Sequence, residues 1–163
     1  MANVEMVVSL KVPDNVAITA FNTLKRMGYN DLIELGRSDY YKFEIAGNDA
    51  EKFKKEISNV DILVNANKHK FLFSIEKNRD NDKNNQKNKE GNAKINVLVQ
   101  DLGNENGLLQ ILKERLGFNN IKKIEKGVLW KMHFDKNTNA GKVAADITKN
   151  LLMNENYQKY KLV

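Results

Sequence analysis

Val4, Met6, Val8 and Leu10 alternate with Glu5, Val7 and Ser9, the period-two pattern of a strand with one buried face. Pro13-Asp14-Asn15 breaks that run and supplies N-cap candidates for a helix over residues 16–27. Ala17, Ala20, Phe21, Leu24 and Met27 share one face of it, and Gly28 stands where a left-handed helix end is least costly. Two strands are expected next, at 32–35 and 40–45, with Gly36-Arg37-Ser38-Asp39 as their turn. Gly47-Asn48-Asp49 opens a second helix that turns Phe53, Ile57 and Val60 inward, and residues 71–75 read as a closing strand.

The pattern then repeats. Gly28-Tyr29-Asn30 returns as Gly117-Phe118-Asn119, Ile62-Leu63-Val64-Asn65 as Leu151-Leu152-Met153-Asn154, and Phe71 as Tyr160, all at an offset of 89 residues. The second half predicts a strand through Ile95, Val97 and Val99, a helix over 108–116, strands 121–124 and 129–134 turning at Lys126-Gly127, a helix over 140–153, and a strand over 157–163. Val143, Ile147 and Leu151 are the apolar positions of that last helix. The expected fold class is α+β: two tandem β-α-β-β-α-β two-layer sandwiches, 1–77 and 94–163, packed as an intramolecular pseudo-dimer. Val7, Tyr40, Leu98 and Leu129 interrupt the otherwise polar sheet faces, so the two sheets are expected to meet face to face. Residues 78–93, with 6 asparagines and almost nothing apolar, read as a flexible linker. Its coil would span roughly 20–25 Å.

Composition narrows the function classes. The absence of cysteine removes disulfides, thiolate nucleophiles and cysteine metal sites together. No stretch is long and apolar enough to span a membrane, and the first residues run directly into a strand, so a cytoplasmic protein with no membrane partner is expected. The net charge of +6 is uneven: residues 1–77 carry 11 basic and 11 acidic side chains, 78–93 carry 4 and 3, and 94–163 carry 12 and 7. A lysine-rich solvated face accounts for that excess; an anionic partner would use the same residues.

Candidate chemistry is sparse. Asp80-Asn81-Asp82-Lys83-Asn84 imitates the start of a calcium loop, but Asn85 and Gly91 stand where such a loop needs glycine and glutamate. His69 and His133 have no metal-ligand spacing and read as exposed surface residues. Gly103-Asn104-Glu105-Asn106-Gly107 lacks the lysine and hydroxyl residue of a phosphate cradle, and no serine sits in a nucleophile elbow. No catalytic, cofactor-binding or metal residue is therefore expected, and no activity of the chain alone. RNA binding would need aromatics on the open sheet face, whereas Tyr41, Phe43, Trp130 and Phe134 fall on the series expected beneath the helices. No nucleic-acid partner is expected. A pair of small-molecule-sensing domains remains the alternative, since such modules share this element order.

The order of elements, with Met27-Gly28-Tyr29-Asn30-Asp31-Leu32 and Leu116-Gly117-Phe118-Asn119-Asn120-Ile121 between helix and strand, Gly127 in the second turn, and Leu151-Leu152-Met153-Asn154 before Tyr160, resembles the PurS family. PurS is the small subunit of the multi-subunit phosphoribosylformylglycinamidine synthase of purine biosynthesis. The resemblance implies a non-catalytic subunit that bridges a synthetase and a glutaminase subunit and helps ammonia pass between them. Further homo-oligomerisation is compatible with that role. Interface or structural roles are expected for Gly28, Tyr29, Arg37, Tyr40, Asn65, Gly117, Phe118, Gly127, Leu129 and Asn154. The family's basic turn is matched by Gly127 alone, with Arg37 one place out of register, and its acidic pair near the last strand is replaced by His69-Lys70 and Gln158-Lys159.

Overall fold

The computed structural model describes residues 1–73, 93–135 and 139–163. The expected linker apart from Ala93, the Asp80–Asn84 run, and the end of the strand expected at 71–75 lie outside the described residues. The strands are β1 (Ala2–Leu10), β2 (Leu32–Ile45), β3 (His69–Leu72), β4 (Ala93–Asp101), β5 (Ile121–Phe134) and β6 (Gln158–Leu162). The α-helices are α1 (Asn15–Arg26), α2 (Ala50–Ile57), α3 (Asn106–Glu114) and α4 (Ala140–Ile147), and α4 continues into a π-helical turn over Thr148–Leu152. The class is α+β, as expected. The six strands of the described residues belong to a single sheet in the order β3-β1-β2-β5-β4-β6, and each of their pairings is antiparallel.

Two expectations are corrected. The turns at Gly36–Asp39 and Lys126-Gly127 do not form; each expected hairpin is one continuous strand of 14 residues, so each half runs β-α-β-α-β. The halves also do not stack their sheets. They join edge to edge, β2 against β5, from Leu32↔Phe134 to Ile45↔Ile121. That pairing is the reason the hairpins are absent: each strand's outer row of backbone donors and acceptors is satisfied by the other half, so neither chain needs to fold back on itself.

The registers of the halves correspond. Val8 faces Asp39 across β1 and β2, and Val99 faces Val128 across β4 and β5. Asp39 and Val128, which hold the same place in their halves, face one another at the middle of the β2–β5 seam. At its ends, the Ala46 N–H donates to Asn120 O at 2.8 Å and the Asp135 N–H donates to Asp31 O at 2.9 Å, a matched pair at the repeat offset.

One face of the sheet carries the helices. Val4, Met6, Val8, Tyr41, Phe43 and Ile45 of the first half are packed with Phe53 and Ile57 of α2, but also with Leu112, Phe118, Ile121 and Ile124 of the second half. Val97, Val99, Trp130, Met132 and Phe134 are packed with Ala140, Ala144 and Ile147 of α4, and with Leu24, Leu32 and Leu35 of the first half. Each helical cluster is therefore built from both halves. The opposite face holds a third cluster drawn from strands, Val7, Tyr40, Leu98 and Leu129, with Val163 beside it. Each of the four is at most 2% exposed. Edge-to-edge joining brings these side chains together on four adjacent strands, which shelters them laterally where stacked sheets had been expected.

Candidate functional site

The Gly-aromatic-Asn segments end their helices and cross to the other half. Gly28 has φ +100 and Gly117 φ +76, both in the left-handed region. After Gly28, the Tyr29 N–H donates to Leu24 O at 3.1 Å and the Gly28 N–H to Lys25 O at 3.2 Å, which closes α1 in a Schellman arrangement. The Tyr29 hydroxyl donates to Asp146 Oδ2 at 2.7 Å and accepts from Asn150 Nδ2 at 2.9 Å. Phe118, at the same place in the second half, packs edge-to-face on Phe53 of α2 with ring centroids 6.1 Å apart. Both aromatics thus contact the second helix of the opposite half. The hydrogen bond to Asp146 raises the Tyr29 pKa, because the carboxylate favours the protonated hydroxyl.

Asn65 and Asn154 shape the entry to the last strand of each half. The Asn65 side-chain oxygen accepts from the Asn67 N–H, and the Asn65 N–H donates to His69 Nδ1, each at 3.0 Å. In the second half Asn154 accepts from Asn156 and donates to Gln158 Oε1 at the same distances. These Asx turns explain the motif without a binding role. They also correct the reading of the histidines. His69 is half-buried and engaged in its turn, and the His133 side chain is 13% exposed, 3.9 Å from Glu34, with its Nε2 buried and without a hydrogen-bond partner among the described residues.

Tyr40, Leu129 and Gly127 lie at the seam. Tyr40 faces Gly127 and Leu129 faces Ser38. A Cβ on Gly127 would come to 2.4 Å from Val99 O, so β4 and β5 approach too closely there for any side chain. Its counterpart Ser38 bonds Ser9 Oγ at 2.7 Å.

On the helical face, Arg37 Nε donates to Asp14 Oδ2 at 3.0 Å, while Asp14 Oδ1 caps α1 by accepting from the Val16 and Ala17 N–H groups. Val8, Leu10, Ser38, Asp39 and His69 complete a pocket of about 190 Å³ around this pair. Asp14→Ala should cost about 1–2 kcal/mol, combining a lost cap with a lost partly buried ion partner, and urea unfolding reads it directly. The sequence offered Asp14 among the cap candidates of Pro13-Asp14-Asn15 but gave no sign that Arg37 would pair with it.

Elsewhere, Lys123 Nζ lies 2.8 Å from Glu125 Oε1 and Lys42 lies 3.9 Å from the same carboxylate, which holds the Glu125 pKa down. Burial, and then the charges of Asp39 and Glu105, push the Tyr41 hydroxyl from 10.0 up to about 12. Burial, and then Glu5, raise Tyr40 as well. Raised folded values mean that stability present below the ordinary tyrosine value of 10.0 is lost as the pH climbs towards about 12. Urea midpoints should fall as the pH rises from about 10 towards about 12, and less steeply in Tyr40→Phe and Tyr41→Phe.

One groove lies along the α1 side of the second cluster. Asn15, Val16, Thr19, Ala20 and Thr23 of α1, Trp130, and Leu151 and Leu152 of the π turn line about 490 Å³. At the repeat offset, Leu108 and Leu109 stand where α1 has Thr19 and Ala20. The π turn closes with the Met153 N–H donating to Thr148 O at 3.1 Å, while Thr148 Oγ1 bonds back to Ala144 O at 2.7 Å. Trp130 Nε1 is buried without a hydrogen-bond partner among the described residues.

The aromatic series Tyr41, Phe43 and Trp130 lies buried in the helix-side clusters, and Tyr40 on the open face is 1% exposed, so neither set presents a ring for stacking bases. Among the described residues, no three His, Asp or Glu side chains gather as a metal site, and no helix is long and apolar enough to cross a membrane. Neither a scan against protein-family models nor a search of curated proteins found a match to the chain.

Proposed function

We propose that the chain is an intramolecular pseudo-dimer of one βαβαβ unit and acts as a non-catalytic bridging subunit in a glutamine-dependent phosphoribosylformylglycinamidine synthase complex. It would join the synthetase and glutaminase subunits in the cytoplasm. The observation that carries this reading is the reciprocal packing of the halves. Tyr29 reaches Asp146 and Asn150, Phe118 reaches Phe53, and the registers about Asp39↔Val128 correspond. Residues that resemble the PurS motif thereby bind half to half, which is what a subunit working as a symmetric pair requires. Covalent linkage replaces a bimolecular step with an intramolecular one. A tagged chain coexpressed with the synthetase and glutaminase subunits of its own cell should recover both in the presence of ATP, glutamine and magnesium. Recovery of neither would end the proposal.

A small-molecule-sensing domain pair is the second reading. The groove beside Trp130 favours it, since a cleft of about 490 Å³ lined by Val16, Ala20, Trp130, Leu151 and Leu152 with a few hydroxyl groups suits a small ligand. Thermal stabilisation by a single metabolite, without protein partners, would select this reading over the scaffold.

A further inference from the structure

Asn106-Gly107 is the chain's single Asn-Gly step, and it opens α3. Both residues are exposed. No acceptor among the described residues takes the Gly107 N–H, because the N-cap Glu105 makes no side-chain cap bond. Nothing crowds Gly107 either: the nearest atom to where a Cβ would sit is Glu105 Oε1, at 3.7 Å.

We propose that Asn106 is a spontaneous deamidation site. Hydroxide removes the Gly107 amide proton, and the nitrogen attacks the side-chain carbonyl carbon of Asn106. A new C–N bond forms, the bond to the side-chain nitrogen breaks, and ammonia leaves with a proton from water. The resulting succinimide takes up water at either carbonyl and opens to aspartate or isoaspartate. Water enters and ammonia departs, with no change of oxidation state.

Another helix start supplies a control. Asn15 opens α1 as Asn106 opens α3, but Val16 follows it. The branched side chain hinders ring closure, and the Val16 N–H is held by Asp14 Oδ1 at 2.9 Å. Asn15 is thus guarded twice and Asn106 not at all. The products differ in consequence. Aspartate places a negative charge in a first turn that has none, where the positive end of the helix favours it. Isoaspartate lengthens the backbone and disrupts the turn that carries Leu108 and Leu109 against their cluster.

Peptide mapping of the full chain after incubation at mildly alkaline pH, with isoaspartate-directed methylation as a second readout, tests this. Conversion is expected at Asn106, with Asn15 remaining an amide. Glu105→Asp, which installs the cap that Asp14 provides in α1, should slow conversion roughly fivefold, the factor set by one ordinary hydrogen bond on the attacking N–H. Gly107→Val should suppress it. An intact Asn106 in the folded chain, where a urea-unfolded sample converts, would overturn the proposal. Equal conversion at Asn15, or a rate that neither variant changes, would overturn it too.

Discussion

Phe53→Ala should lower the unfolding free energy by about 3–5 kcal/mol, the cost of emptying a closed aromatic site. Phe53 is 1% exposed, with Phe43 at 5.4 Å and Phe118 at 6.1 Å, both edge-on. Phe43 belongs to β2 and Phe118 to the segment entering β5, so the cavity opens where the halves share a core. The chain's one tryptophan, Trp130, lies in the other helical cluster. If the seam makes one cooperative unit, Trp130 fluorescence and far-UV circular dichroism should move together to lower urea in the variant. A fluorescence transition left in place while the dichroism shifts would show two clusters that unfold separately. The seam would then be a contact between independent domains.

Much of the local structure was legible. Of the cap candidates in Pro13-Asp14-Asn15 it is Asp14 that caps α1; Ala17 and Leu24 of the expected helix face are buried but Met27 at its end is exposed, and Phe53, Ile57 and Val60 turn inward as expected. What failed was the middle of each long strand. Gly36, Arg37, Ser38 and Asp39 look like a turn because four small or polar residues interrupt an apolar pattern. In the fold they lie between two clusters. Leu32 and Leu35 belong to one cluster, Tyr41, Phe43 and Ile45 to the other, and Arg37 and Asp39 to neither. Lys126 holds the corresponding place in β5, exposed between Ile124 and Trp130. Polar residues there reflect where the helix pairs part, a feature fixed by the other half and invisible to local pattern.

The same cause explains the candidate residues. Tyr29 and Phe118 stood out through the repeat alone, but their partners Asp146, Asn150 and Phe53 carry no local signal. Tyr40 and Leu129 were recognised as apolar residues on polar faces. Their shelter proved to be each other's neighbourhood along a joined sheet, because edge pairing sets Val7, Tyr40, Leu129 and Leu98 on adjacent strands.

Gly127→Ala tests that joining where it is tightest. The added methyl would sit 2.4 Å from Val99 O and 3.2 Å from Gln100 Cα, both backbone atoms that no rotamer change can move. Relief requires β4 and β5 to separate, and β5 at this residue also pairs with Tyr40 of β2. Both ladders therefore loosen together, at about 1–3 kcal/mol or more. Tyr40 would become more exposed, and its raised pKa should fall towards the ordinary value of 10.0, since burial is the largest cause of the shift. A spectroscopic tyrosine titration of the variant measures this separately from stability. Ser38→Ala, at the matching place in the other half, removes only the 2.7 Å bond to Ser9 and should cost about 1 kcal/mol with little change in titration. Equal losses at the two positions would mean that the close approach of β4 to β5 is not what requires glycine.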